Sequence, residues 1–207
     1  MTISEKTSIC ILLDPAHGKS VKGKCSPDLS LYEWKWSREI INKLMKKLRE
    51  DGYRVVLTVE GDEEIGLQNR AQAANNYANY FGAKNCVFVS IHCNAAPPAD
   101  MKWHKAQGFE VHVAPNASDN SKKLSSLLYK QAEENEIKVR RPLPKQDYWE
   151  SKFTVLTKTK SPAVLIESMF MDNKSDCAYM LSKEGKETFV KMYYNAITQY
   201  VQDLLVK

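Results

Sequence analysis

The chain has 207 residues, 43% of them hydrophobic and 27% charged, a balance that suits one globular domain with an ample core and excludes a disordered chain. The formal net charge of +5 favours an anionic partner, but no Lys/Arg run is dense enough for a nucleic-acid surface. The five cysteines (Cys10, Cys25, Cys86, Cys93, Cys177) include no C-x-x-C and are expected as reduced thiols rather than a disulfide framework.

In chain order, residues 9–14 read as a buried strand, followed by a loop over 15–29 containing Gly18, Gly23 and Pro27. A helix is expected over 30–50, with Leu31, Trp34, Ile40, Ile41, Leu44, Met45 and Leu48 at helical spacing and Asp51-Gly52 as its stop. Residues 53–59 are a second strand and 65–81 an Ala-rich helix ended by Gly82. The run 86–92 (CVFVSIH) is the central strand, and 95–107 is a loop with Pro97-Pro98. Residues 109–113 alternate, placing Phe109, Val111 and Val113 on one face. A helix over 118–135 is followed by an irregular segment, 137–151, with Pro142 and Pro144. Short strands over 153–156 and 163–167, a short helix near Asp176 and a long helix over 183–205 complete the chain. Strands alternating with helices predict a single α/β domain over 1–207: a central mixed, mostly parallel sheet of about six strands flanked by helices on both faces. No internal repeat or linker marks a second domain. The N-terminal run has no basic n-region and too short an apolar stretch for a signal peptide, and no transmembrane span appears. Synthesis in the cytoplasm, with no stable membrane association, is the expectation.

Three apolar runs end on polar chemistry: ICILLDPAHG reaches His17, VFVSIHCNA reaches His92, and AVLIESMF carries Glu167. In open α/β sheets, ligands sit outside the carboxyl ends of the strands, so the coincidence points to one site. A metal there needs a third ligand, for which Asp14, Glu33, His104, His112 and Glu110 are candidates. Glu33 also fits a capping box with Ser30 (S-x-x-E), the better reading on pattern alone. His104 sits in a polar loop, His112 shares a face with Glu110, and Asp14 is placed to brace the turn that aims His17. Cys93 points away from the face of His92 and reads as packing.

LDPAHG, Glu33 at a helix start, LTVEGD with LQNRAQAAN, VSIHCNA, GFEVHV and VLTKTKSPAVLIESMFMDNKSD occur in the order seen in zinc-dependent N-acetylmuramoyl-L-alanine amidases of the Amidase_3 type. The resemblance runs from Ile9 to about Tyr200. It implies zinc held by His17, Glu33 and His92, with Glu167 as catalytic base, and so overrides capping for Glu33. It implies cleavage of the amide between N-acetylmuramic acid and the L-alanine of the stem peptide, with peptidoglycan as partner and no nucleic acid. The chain departs from the family at Ala16 and Lys19, where glycine is usual, at Val59 for arginine, and at Met169 for glycine; these bear on substrate contacts rather than on the chemistry. Some relatives carry an inhibitory helix before the next strand; the interval 95–107 has little helical pattern, so activity without an activator is expected. A small amidase of this kind resembles a phage or prophage endolysin, reaching the wall after a holin opens the membrane. Competing readings are a zinc carboxypeptidase using Arg140 or Arg141 for a substrate carboxylate, and a non-catalytic wall-binding module. Trp103, Tyr148 and Trp149 are candidates for stacking on sugar rings.

Overall fold

A computed structural model describes residues 1–98 and 100–206. Its strands are β1 (Cys10–Pro15), β2 (Arg54–Leu57), β3 (Cys86–Asn94), β4 (Glu110–Val113), β5 (Trp149–Glu150) and β6 (Ala163–Phe170). They form one sheet in the order β2-β1-β3-β6-β4-β5, in which only the β4–β6 pair is antiparallel. The helices are α1 (Ile3–Ser8), α2 (Glu33–Glu50), α3 (Leu67–Phe81), α4 (Asp119–Glu134), α5 (Thr154–Thr157), α6 (Lys174–Leu181) and α7 (Lys183–Leu205). Among the described residues no helix is long and apolar enough to cross a membrane. All five cysteines are buried and free.

Successive strand residues point to opposite faces, and here the two faces differ in depth. Ile11, Leu13, Val87, Val89, Ile91, Val111, Val164 and Ile166 belong to a large apolar cluster with Ile40, Leu44, Leu128, Phe189 and Tyr193 of α2, α4 and α7. Cys93 joins that cluster, as its position next to His92 requires. The alternate residues Cys10, Leu12, Cys86, Phe88 and Leu165 form a smaller cluster with Ala74 and Ala78 of α3 and Val155 and Leu156 of α5. The sheet thus has a thick face and a thin one.

The expected α/β architecture and the strand count of six are found, with one exchange. Residues 153–156 are not a strand: Phe153 precedes α5, where the amides of Leu156 and Thr157 donate to the Phe153 carbonyl. The β-branched composition of this run suggested a strand, but Val155 and Leu156 are both buried, which a strand with one solvated face does not allow. The fifth strand lies instead at Trp149–Glu150, inside the segment expected to be irregular. Helix α1 was not expected; Thr2 and Glu5 cap it with a reciprocal box. Helix α2 begins at Glu33, not at Ser30. Among the described residues of the 95–107 interval no helix forms.

The loop after β1 carries His17 at φ 42°, an uncommon conformation for a residue with a Cβ. Neither Ala16 nor Lys19 has positive φ, so the departures from glycine there cost no backbone strain. The glycine that the loop requires is Gly18: a Cβ there would stand 2.2 Å from the Glu64 backbone nitrogen. Gly18→Ala is therefore expected to destabilise the fold by roughly 1–3 kcal/mol, the range for overpacking. A thermal midpoint equal to the wild-type value would show that the two loops separate freely.

Candidate metal centre

On the thin face the apolar layer gives way to polar side chains toward the carboxyl ends of the parallel strands. Asp14 follows Leu12 on β1, and Ser90 and His92 follow Phe88 on β3, each two residues on. Glu167 follows Leu165 on β6 in the same way, and Glu110 of β4 pairs with it in register. His92 also pairs in register with Glu167, and Asp14 with Ser90. Strand parity alone therefore gathers these groups on one side of the sheet.

His17 comes from the loop after β1 and Glu33 from the first turn of α2. The His92 Nδ1 atom lies 2.9 Å from Glu33 Oε1, and His17 Nε2 lies 3.4 Å from Glu33 Oε2. The two imidazoles meet edge to face with centroids 5.2 Å apart. One ligand atom from each of the three residues lies within 4.8 Å of the others. The Ser30 cap does not form: no side chain caps α2, and Ser30 Oγ donates instead to Asp28. Glu33 is 1% exposed, and its Oε2 makes no hydrogen bond. Its Oε1 accepts from the Cys93 amide.

Burying a carboxylate is costly unless something compensates it. Here burial works to raise the pKa of Glu33, but the neighbouring His92 and His17 outweigh it and hold the pKa below the ordinary carboxylate value. Burial also opposes charge on His92, whose pKa is nevertheless held up by Glu33. His17 is driven down to about 4 by burial, so its imidazole is neutral at pH 7. A neutral imidazole, an ionised carboxylate with an orphaned oxygen and a second imidazole are a donor set of the kind that could hold a divalent metal such as zinc.

A second layer holds this arrangement. His92 Nε2 lies 3.0 Å from Ser90 Oγ, which donates to Asp14 Oδ2 over 2.6 Å. Asp14 is fully buried and receives Thr58 Oγ and the Arg70 guanidinium on its other oxygen. Arg70 also donates to the Pro15 carbonyl and pairs with Glu64. Asp14 thus braces the β1 turn, as expected, and also reaches His92 through Ser90. Ser90, Thr58 and Arg70 were not singled out from sequence; the signal available was that Ser90 shares the parity of His92.

Glu167 stands beside the triad, its Oε2 buried and without a hydrogen bond. Burial, opposed by His92 and reinforced by Glu33 and Glu110, raises its pKa to about 8. A cation held by the triad would pull that value back down. The remaining candidates fall elsewhere. His104 pairs with Asp100 at 2.9 Å. His112 and Glu110 form their own cluster, with Ser151 on His112 and Arg140 on Glu110. Arg141 is paired with Glu133 and Asp147. Trp103 and Tyr148 pack partly against the core, and Trp149 lies beside His112.

A cleft of about 300 Å³ opens at two members of the triad, lined by Asp14, His17, Arg70, His92 and Glu167. Leu67, Phe153, Val155 and Leu165 wall it, with Lys24 and Lys152. A larger depression of about 530 Å³, lined by Lys84, Ser118, Thr159 and Pro162 among others, lies away from these groups, so volume does not identify the site.

A family model described as N-acetylmuramoyl-L-alanine amidase (Amidase_3) matches residues 11–199. The chain is 29% identical over 186 residues to the endolysin of Bacillus phage SPP1, covering 84% of this chain and 59% of that protein. It is 26% identical over 192 residues to the probable cell wall amidase LytH of Staphylococcus epidermidis, covering 92% of this chain and 57% of that one. It thus spans less than two-thirds of either relative. The crystal structure of an N-acetylmuramoyl-L-alanine amidase from Clostridium difficile 630 superposes with a TM-score of 0.81 at 26% identity, covering 95% of this chain and 98% of that one.

Proposed function

The chain belongs to the Amidase_3 family of N-acetylmuramoyl-L-alanine amidases, and from that membership we propose that it hydrolyses the amide joining N-acetylmuramic acid to the L-alanine of the peptidoglycan stem, with His17, Glu33 and His92 holding zinc and Glu167 acting as base. The observation that carries the proposal is the buried, orphaned Glu33 oxygen beside two imidazoles, with Glu167 in register next to His92.

Bound zinc would supply a Lewis acid and a water acidified toward ~7. The protein's own part is then positional. His17, Glu33 and His92 would hold the zinc, and because His17, His92 and Glu167 line one cleft, a scissile carbonyl and an attacking water bound there would meet beside Glu167. Glu167 accepts the water's proton and returns it to the nitrogen of the departing L-alanine. The apolar wall of Leu67, Phe153 and Val155 limits water around that transfer.

Ser90 and Asp14 are placed to favour one His92 tautomer. Ser90, whose hydroxyl donates to Asp14, can accept an Nε2 proton from His92, which would leave the Nδ1 lone pair free for a metal held with Glu33. Ser90→Ala is expected to weaken zinc binding about 10–100-fold, as loss of such outer partners does. Chelator competition measures this; unchanged affinity would remove Ser90 from the support of the site.

The function itself is tested on purified peptidoglycan. New L-alanine amino termini are expected, and release of C-terminal residues would show a carboxypeptidase instead. Arg140 and Arg141 give that alternative no support, since both are committed to carboxylates and neither lines the cleft. The buried triad with an adjoining carboxylate likewise favours an enzyme over a binding module. The cell wall is the proposed place of action, and activity without an activator is part of the proposal.

A further inference from the structure

Two cations in the cleft have no task in the chemistry above. Lys24 and Lys152 both line it, and among the described residues neither ammonium has a hydrogen bond or ion pair. Arg70, the third cation there, is locked to Asp14 and Glu64 and is not available to a ligand. Lys24 is half-buried and lines the same cleft as His17, His92 and Glu167. Lys152 immediately precedes Phe153, whose ring forms part of the apolar wall.

Lys24 is half-buried and Lys152 is exposed, and two unpaired ammonium groups lining one partly apolar cleft suit an anionic group on the bound molecule. On the proposed substrate the N-acetylated glycan is neutral, and the lactyl carboxyl is consumed in the scissile amide. The negative charge therefore lies on the peptide. The nearest is the free carboxylate of the D-glutamate residue that follows L-alanine, about two residues or roughly 7 Å beyond the cut in an extended chain. That span is comparable with the reach of a lysine side chain from the cleft wall.

We propose that Lys24 and Lys152 form a carboxylate subsite for the second stem residue, so that this chain prefers stems whose D-glutamate carboxylate is free over stems in which it is amidated. The inference rests on the amidase reading and deepens it. It concerns discrimination between two substrates that differ by one charge at one position, and places the stem peptide, not the sugar, along the Lys24–Lys152 side of the cleft.

The test uses two muramyl peptides, identical except for a free or amidated carboxyl on the second residue. The wild-type protein is expected to favour the free acid about tenfold in kcat/KM, chiefly through KM, the scale of one charge-assisted contact. Lys24→Met and Lys152→Met should each shrink that preference, and the double variant should abolish it, with the loss falling on the free-acid substrate. Lys24→Arg should retain it, and thermal midpoints check that each variant is folded. Equal rates on both substrates, or a preference that survives the double variant, overturn the proposal. A Lys24→Met variant that slows both substrates equally also overturns it, by placing that ammonium in catalysis rather than selection. Calorimetric binding of both peptides to Glu167→Gln protein separates the two readings: stronger binding of the free acid without hydrolysis by the wild type would sink the amidase reading and leave the subsite standing.

Discussion

Replacing Glu167 by glutamine is expected to slow peptidoglycan hydrolysis about 100- to 10,000-fold, the contribution of a positioned general base, while the protein stays folded and binds one zinc per chain. The size of the effect follows from the isolation of this carboxylate. Its Oε2 is buried without a hydrogen bond, so the amide replacement breaks no structural contact there. Among the described residues the candidate metal cluster consists of His17, Glu33 and His92, so metal retention should not depend on residue 167. Zymography and metal analysis on the same sample check both halves. A variant that digests walls at the wild-type rate removes Glu167 from the mechanism, and one that loses zinc in parallel makes it a ligand instead.

The second large effect concerns Glu33. Glu33→Gln keeps the shape of the side chain and an oxygen able to accept from the Cys93 amide, but removes the charge between the two imidazoles. The expected outcome is zinc content falling to near zero and loss of hydrolysis, with the thermal midpoint of the metal-free protein lowered. The sign follows from compensation: His92 and His17 hold the buried carboxylate in its ionised form, so neutralising it removes a net stabilising charge. Were Glu33 chiefly a helix cap, the same change would cost about 1 kcal/mol of stability but leave zinc in place. Metal analysis decides between them, and a melting curve checks that the variant is folded.

These two carboxylates show how much the sequence disclosed. Glu167 and His92 were legible because each terminates an apolar run, and strand periodicity then fixes which face they share. Glu33 was not legible from pattern. The capping signature occurs twice in this chain, at Thr2–Glu5 and at Ser30–Glu33, and only the first forms a cap. What separates them is the approach of His92 and His17 from strands distant in sequence, and the family resemblance supplied that information in place of the residues themselves. The 153–156 run failed for a related reason, since β-branched composition was outweighed by packing of α5 against α3. The two-residue β5 carries too short a pattern to announce itself. Lys24 and Lys152 escaped notice because a cation on a loop reads as solvated until the fold shows which cavity it borders.

The unequal faces of the sheet carry a lesson for redesign. The thick layer, built from α2, α4 and α7, holds most of the apolar core, whereas Lys152, Phe153, Thr154 and Val155 of the cleft wall all come from one uninterrupted stretch between β5 and β6. That same stretch also seals the thin apolar layer through Val155 and Leu156 of α5. Exchanging it for its counterpart from a relative would reshape one side of the cleft and leave the thick layer untouched, provided the two apolar positions packed against α3 are kept.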